Sequence, residues 1–416
     1  MKMTRCTLAW RLIYSSICLL LMSGCSRQET GPFRQRVYVW QKIWTPAVSS
    51  GILEAAPHVD GFAVLAGLIE PGERGAQVFT TAVDWPVLKS VQKPVSFVVR
   101  VYPFKGSFAT EGANFQSIRS TIEDVLKAAN KAGVECNEVQ IDYDCPEKNL
   151  SEYRLWLREL RKQISPRSLV FTMLPSWLNR PHDFSRLCTE ADGFVLQVHS
   201  LEILDGKVIH QLCDPDKARR WVNSAKAFGL PFEVALPTYS SQAGFDPNGK
   251  LLGVVSDGSL KQWPSGTKIC NYLSDPSGVA GLVREWTFGR PSLMRGVIWF
   301  RMPVSSDRNN WNWRTLAVVM AGGQVTPKIE THLTTNNPAD IVISNEGTCD
   351  ADLNEVYECP LGQGEVISMD SLPGWKISLT GRCIRISSAG RRLSPMPPGA
   401  SRKAGWVLFE TLHEIK

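Results

Sequence analysis

Eight short runs rich in β-branched and aromatic residues recur along this chain, and the gaps between them carry helical patterns. The runs fall at 37–44, 62–69, 95–102, 139–144, 169–174, 193–199, 232–238 and 297–302. In 114–132, Phe115, Ile118, Ile122, Val125 and Ala129 recur at steps of three and four, and Gly133 stops the helix. Asn149, with Glu152 three residues on, gives a capping-box-like start to the stripe Leu150, Tyr153, Leu157, Leu160 and Ile164. Asp214-Pro215 opens another helix, lined by Ala218, Trp221, Val222, Ala225 and Phe228 and ended by Gly229. Strand and helix alternating eight times is what a (β/α)8 TIM-type barrel requires. A doubly wound open sheet is the runner-up. It calls for a glycine-rich turn after the first strand, where this chain has Gln41-Lys42-Ile43-Trp44.

The barrel is expected over 36–324. A hairpin signal, Asp246-Pro247-Asn248-Gly249, interrupts the pattern after the seventh strand, on the face where barrels hold their sites. From 325 to 416 the chain turns to short alternating strands, such as 340–344 and 374–379, and reads as a small C-terminal β-rich domain. Residues 393–402 read as a loop.

Residues 1–24 read as a signal peptide: Lys2, Arg5 and Arg11 precede an apolar core, and Leu21-Met22-Ser23-Gly24-Cys25 fits a lipobox. Lipidation of Cys25, a tether over 25–35 and an address in the cell envelope, at the outer membrane, are then expected. An ordinary secretory signal is the alternative. The net charge of +6 comes from scattered residues rather than a basic block, so nothing points to nucleic acid. Eleven cysteines show no metal-ligand spacing, and no cofactor or metal is implied. Cys349 and Cys359 are the best candidates for a disulfide, while Cys136 and Cys145 read as buried thiols.

The chemistry concentrates in Gln140-Ile141-Asp142-Tyr143-Asp144. Side chains alternate along a strand, so the apolar Val139, Ile141 and Tyr143 pack under helices and Gln140, Asp142 and Asp144 face the barrel interior. Paired carboxylates suit glycoside hydrolysis, one holding the other ready to donate a proton. The plainer reading is an ion-pair network in which Arg100 or Arg301 neutralises both acids. Gln140 and Arg100, with Tyr102, His199, Tyr239, Trp299 and Arg301 from other strand ends, are the candidate cleft lining, with Trp299 expected inward as the floor for a sugar ring. Trp40, Gln41 and Trp44 belong to the first strand, with ambiguous facing.

At Val37-Tyr38-Val39-Trp40-Gln41, Val83-Asp84-Trp85, 140–144 and Gly296-Val297-Ile298-Trp299-Phe300-Arg301 the chain resembles a bacterial family catalogued as domain of unknown function 3142, many of whose members look like lipoproteins. The resemblance runs from about Arg36 to beyond Trp313. The fourth strand is also similar to that of family 18 chitinase-type hydrolases, which carry Asp-x-Asp-x-Glu there. Matched on Pro146, Gln140 stands at the first acid, Asp142 at the second and Asp144 at the catalytic Glu. The resemblance implies Asp144 as general acid, Asp142 as its tuner and a glycan as partner. Two further readings stay open: a carbohydrate-binding barrel without catalysis, and a structural envelope lipoprotein.

Overall fold

The computed structural model describes residues 31–410, apart from 73–74, 105–106, 201–208, 257–261, 354, 363 and 390–392. Residues 1–24, expected to be a signal peptide, and Cys25, the expected lipidation site, lie outside the described residues, as do Cys6 and Cys18.

Eight parallel strands close on themselves. They are β1 (Arg34–Val39), β2 (Gly61–Gly72), β3 (Val95–Val101), β4 (Cys136–Tyr143), β5 (Ser168–Met173), β6 (Gly193–Gln197), β7 (Phe232–Pro237) and β8 (Met294–Phe300). Pairing of β1 with both β8 and β2 completes the ring. Each strand is followed by a helix: α1 (Pro46–Ala55), α2 (Trp85–Ser90), α3 (Ala113–Ala132), α4 (Leu150–Ile164), α5 (Pro181–Cys188), α6 (Pro215–Ala225), α7 (Pro276–Gly289) and α8 (Trp313–Met320). This is the (β/α)8 barrel, of α/β class.

Local chemistry explains the helix ends. Gly133 takes φ +69° past α3, a left-handed conformation that costs other residues a Cβ clash. Asp214 caps α6 through Asp216 and Lys217 backbone amides. Asn149, expected to cap α4 through its side chain, makes no such bond; a 3-10 turn, Glu147–Asn149, leads into the helix instead.

The larger core lies between strands and helices, where Trp156 and Trp177 are fully buried. Trp156 donates to the Phe108 carbonyl at 2.8 Å and Trp177 to the Cys145 carbonyl at 2.9 Å, so each indole N–H is satisfied. A second, smaller core fills the barrel itself with Tyr38, Ala63, Val98, Val170, Val195, Ala235 and Ile298. At the N-terminal end Arg36 bridges Glu138 at 2.9 Å and Glu233 at 3.0 Å, closing the barrel floor with paired charges.

Two features go beyond the sequence pattern, the return strand of β2 and the strand that joins two connections, while the hairpin after β7 is the one expected at Asp246-Pro247-Asn248-Gly249. β2 runs past the barrel and returns as an antiparallel strand, Gly75–Thr80. The hairpin after β7 forms from Ser241–Phe245 and Leu251–Val255. A third strand, Lys268–Leu273, then joins Ser241–Phe245 to Ile209–Gln211, which comes from the β6–α6 connection. The C-terminal unit packs a four-stranded and a three-stranded antiparallel sheet around Ile341, Ile343, Cys359, Trp375, Ile384 and Val407.

The eight cysteines among the described residues are all free, so the Cys349–Cys359 disulfide is not formed. The reason is placement. Cys359 points into the C-terminal core opposite Ile384, and Cys349 sits on a turn held by Asn345, which donates to its carbonyl at 2.8 Å.

Candidate functional site

β4 builds the site. Val139, Ile141 and Tyr143 are buried outward among the helices, which turns Gln140 and Asp142 to the barrel interior. Asp144 stands one residue past the strand, at the C-terminal mouth. Arg100 on β3 is the register neighbour of Asp142. Its guanidinium donates to Asp142 Oδ2 at 3.0 Å and to Asp144 Oδ2 at 2.5 Å. The ion-pair network of the plainer reading therefore exists, with Arg100 as its cation.

One cation facing two carboxylates leaves the cluster one negative charge in excess. Such a charge is costly where Asp142 sits, at 4% exposure. Burial raises Asp142 above the usual carboxylate range, against the pull of Arg100 and with a further push from Asp144. Thr172 stands near enough to ease that rise without completing a hydrogen bond, and the far oxygens Asp142 Oδ1 and Asp144 Oδ1 are closed off without a partner. Asp144 differs in one respect: its side chain keeps 32% of its surface open.

One layer down, Gln140 is fully buried and donates to the Tyr38 hydroxyl and, at 3.2 Å, to Thr172 Oγ1. It braces β4 against β1 and β5 rather than facing the opening. Tyr102 sits beside the cluster, 5.3 Å from the Arg100 guanidinium and 5.9 Å from Lys42.

The opposite side of the mouth is aromatic, and Phe300 is its centre. Trp40 lies 4.9 Å from it, His199 5.4 Å and Tyr239 5.5 Å. His199 Nδ1 is 3.2 Å from the Ala235 carbonyl, which can only accept, so the proton sits on Nδ1 and Nε2 is left as an acceptor. Burial holds His199 down at about 4. An NMR titration is expected to show a neutral Nδ1–H ring from about pH 8 down to about pH 5; a midpoint near the solvated value of about 6.5 would show the ring is open to water. Because the folded value lies below the unfolded one, His199 adds stability above about pH 6.5. That contribution is lost as pH falls toward about 4.

Besides Gln140, two more expected lining residues are elsewhere. Trp299 does not face the mouth. It is fully buried between barrel and helices, with Nε1 donating to Gln35 Oε1 at 3.2 Å. Its register partner is Val37, which also points outward, so the inward set on β8 is Ile298 and Phe300. Arg301 is buried and makes no contact with the aspartates. It donates to Asp307 at 2.9 Å and to the Ser256 carbonyl at 2.7 Å, and its guanidinium lies 5.6 Å from the Tyr239 ring. Phe300 is the residue the alternation missed. The signal for it lay in the pairing with β1, which no local pattern reveals. Among the described residues no group of three metal-ligating side chains is brought together.

A family model, domain of unknown function (DUF3142), matches residues 92–305. A search of curated proteins finds no match. Among solved structures, the chain is similar to a chitinase from Chromobacterium violaceum at 11% identity and TM-score 0.47, covering 70% of this chain and 98% of that one. It is similar to the spore cortex-lytic enzyme SleL of Bacillus cereus at 11% identity and TM-score 0.48, covering 70% and 75%. A fungal endo-β-N-acetylglucosaminidase of glycosyl hydrolase family 18 gives 14% identity and TM-score 0.43, covering 70% and 97%. At such identities the likeness concerns the barrel fold alone. The matched residues run from the start of β3 past the end of β8 and take in Arg100, Asp142, Asp144 and Phe300, and the chain belongs to the domain of unknown function family DUF3142.

Proposed function

We propose that the mouth of the barrel binds a glycan. The observation that carries this is the pairing of two unlike walls: half-buried rings of Trp40, His199, Tyr239 and Phe300 on one side, and the charged cluster of Arg100, Asp142 and Asp144 on the other. Sugars present an apolar ring face and a hydroxyl edge, and such sites pair aromatic walls with a few placed polar groups.

Hydrolysis is the second reading, favoured by the excess carboxylate. The cluster is neutral only when it holds one proton, and a stored proton beside an accessible Asp144 is what a general acid needs. In this reading Asp144 donates its proton to the leaving oxygen as the glycosidic C–O bond breaks, and water attacks the anomeric carbon and returns a proton to Asp144. Asp142 tunes the donor, and Arg100 must loosen its hold on Asp144 as substrate enters. The fixed Arg100 contact is the reason binding stands first.

A glycan array read for both capture and cleavage, with Asp144→Asn in parallel, tests the two together. Capture by both proteins with cleavage by neither supports a binding barrel. Cleavage that falls by about 100-fold or more in Asp144→Asn supports hydrolysis. No capture of any glycan sinks both readings.

A further inference from the structure

A hollow of about 380 Å³ lies where the insertion after β7, the β8–α8 connection and the C-terminal unit meet. That volume falls in the range of about 300–1,000 Å³ usual for small-molecule sites. One residue links it to the mouth: Tyr239, whose ring packs against His199 and Phe300, is also part of the hollow's lining. Trp311 supplies a second ring from the β8–α8 connection, half-buried.

Two acceptors in the lining are held at one end and uncommitted at the other. Asn310 donates through Nδ2 to the Arg301 carbonyl at 2.9 Å, while its Oδ1 has no partner. Asp350, from the C-terminal unit, accepts at Oδ2 from the Asn312 amide at 2.7 Å, and its own amide donates to Thr315 Oγ1 at 2.8 Å. Its Oδ1 has no partner either. A buried acceptor without a donor is costly, and both oxygens are closed off from solvent, so a ligand that brings donors reaches them only as the lining opens around it. Asp352, exposed at the same hollow, adds a second carboxylate. Asp275, which caps α7, and Arg308 also line the hollow, so three carboxylates face one arginine and a neutral, hydroxyl-bearing ligand suits the lining better than phosphate, sulfate or carboxylate.

We infer that this hollow is a distal sugar subsite: a neutral oligosaccharide held at the barrel mouth continues across Tyr239 and places a further ring between Tyr239 and Trp311, with hydroxyls on Asn310 and Asp350. The inference rests on the glycan reading of the mouth and adds to it that the ligand is a chain rather than a single sugar. It also gives the C-terminal unit a role, since Asp350 and Asp352 are its contribution to the barrel's cleft.

The test is titration calorimetry of the purified chain with oligomers of N-acetylglucosamine, glucose and galactose, one to six residues long. Affinity is expected to climb about tenfold or more from the shortest oligomer that binds to the longest. Trp311→Ala is expected to remove that gain while leaving the affinity for the shortest unchanged. Asp352→Ala, at an exposed position where folding is not at stake, is expected to reduce the same gain. Affinity that does not change with chain length, or a gain untouched by both substitutions, overturns the distal subsite and leaves the mouth reading standing. Absence of binding by every oligomer overturns both.

Discussion

Replacing Arg100 with methionine is expected to destabilise the protein by about 3 kcal/mol at neutral pH, the low end of the cost of removing one partner from a buried ion pair. The low end applies because Asp144 is partly open to water, whereas Asp142 is not. The pH dependence is the sharper signature. Burial already holds Asp142 above its unfolded value, and removal of the cation raises it further. A carboxyl raised on folding binds its proton more tightly in the native state, so stability falls as pH rises from the unfolded value of about 4 up to the raised folded value. The gap between Arg100→Met and the parent is therefore expected to be wide at about pH 7 and to close toward about pH 4. Urea unfolding at both values checks this. A loss under about 1 kcal/mol, equal at both, would mean that Arg100 does not compensate the acids.

The second large effect separates two neighbours. Trp299→Ala is expected to cost about 3–5 kcal/mol, because a fully buried indole leaves a cavity and strands Gln35 Oε1. The folded fraction should capture a glycan as the parent does, since no atom of Trp299 reaches the mouth. Phe300→Ala is expected to do the reverse in kind. It removes the ring on which Trp40, His199 and Tyr239 converge, and capture should weaken by about tenfold or more. If Trp299→Ala abolishes capture in protein that remains folded, the assignment of inward and outward faces on β8 is wrong.

That pair also shows what a sequence can and cannot reveal here. On β4 the facing was legible because Val139, Ile141 and Tyr143 are apolar while Gln140 and Asp142 are not, so the alternation has one solution. On β8 aromatic residues stand at consecutive positions, 299 and 300, with Arg301 next, and hydrophobicity does not choose between them. The choice is made by pairing with β1, a contact across more than 250 residues (Val37 with Trp299). Which of two arginines meets the acids is equally non-local. Register places Arg100 beside Asp142, while Asp307, six residues on, captures Arg301. The strands of the barrel were readable because each is a local run of strand formers. The return strand Gly75–Thr80 was not, because it alternates weakly and owes its pairing to the extension of β2.

The parallel pairing of Asn271, Tyr272 and Leu273 with Ile209, His210 and Gln211 stitches together connections that leave the barrel from two different strands. Barrels diversify by exchanging single loops on a constant scaffold, and that freedom is absent on this side. A transplant of 241–273 alone would carry off one half of a ladder and leave 209–211 with backbone donors and acceptors facing nothing. The exchangeable unit is the two connections together, and both α6 and the barrel strand β7 lie between them. A laboratory that wishes to give this barrel a new specificity would do better to vary the side chains of that wall than to replace it.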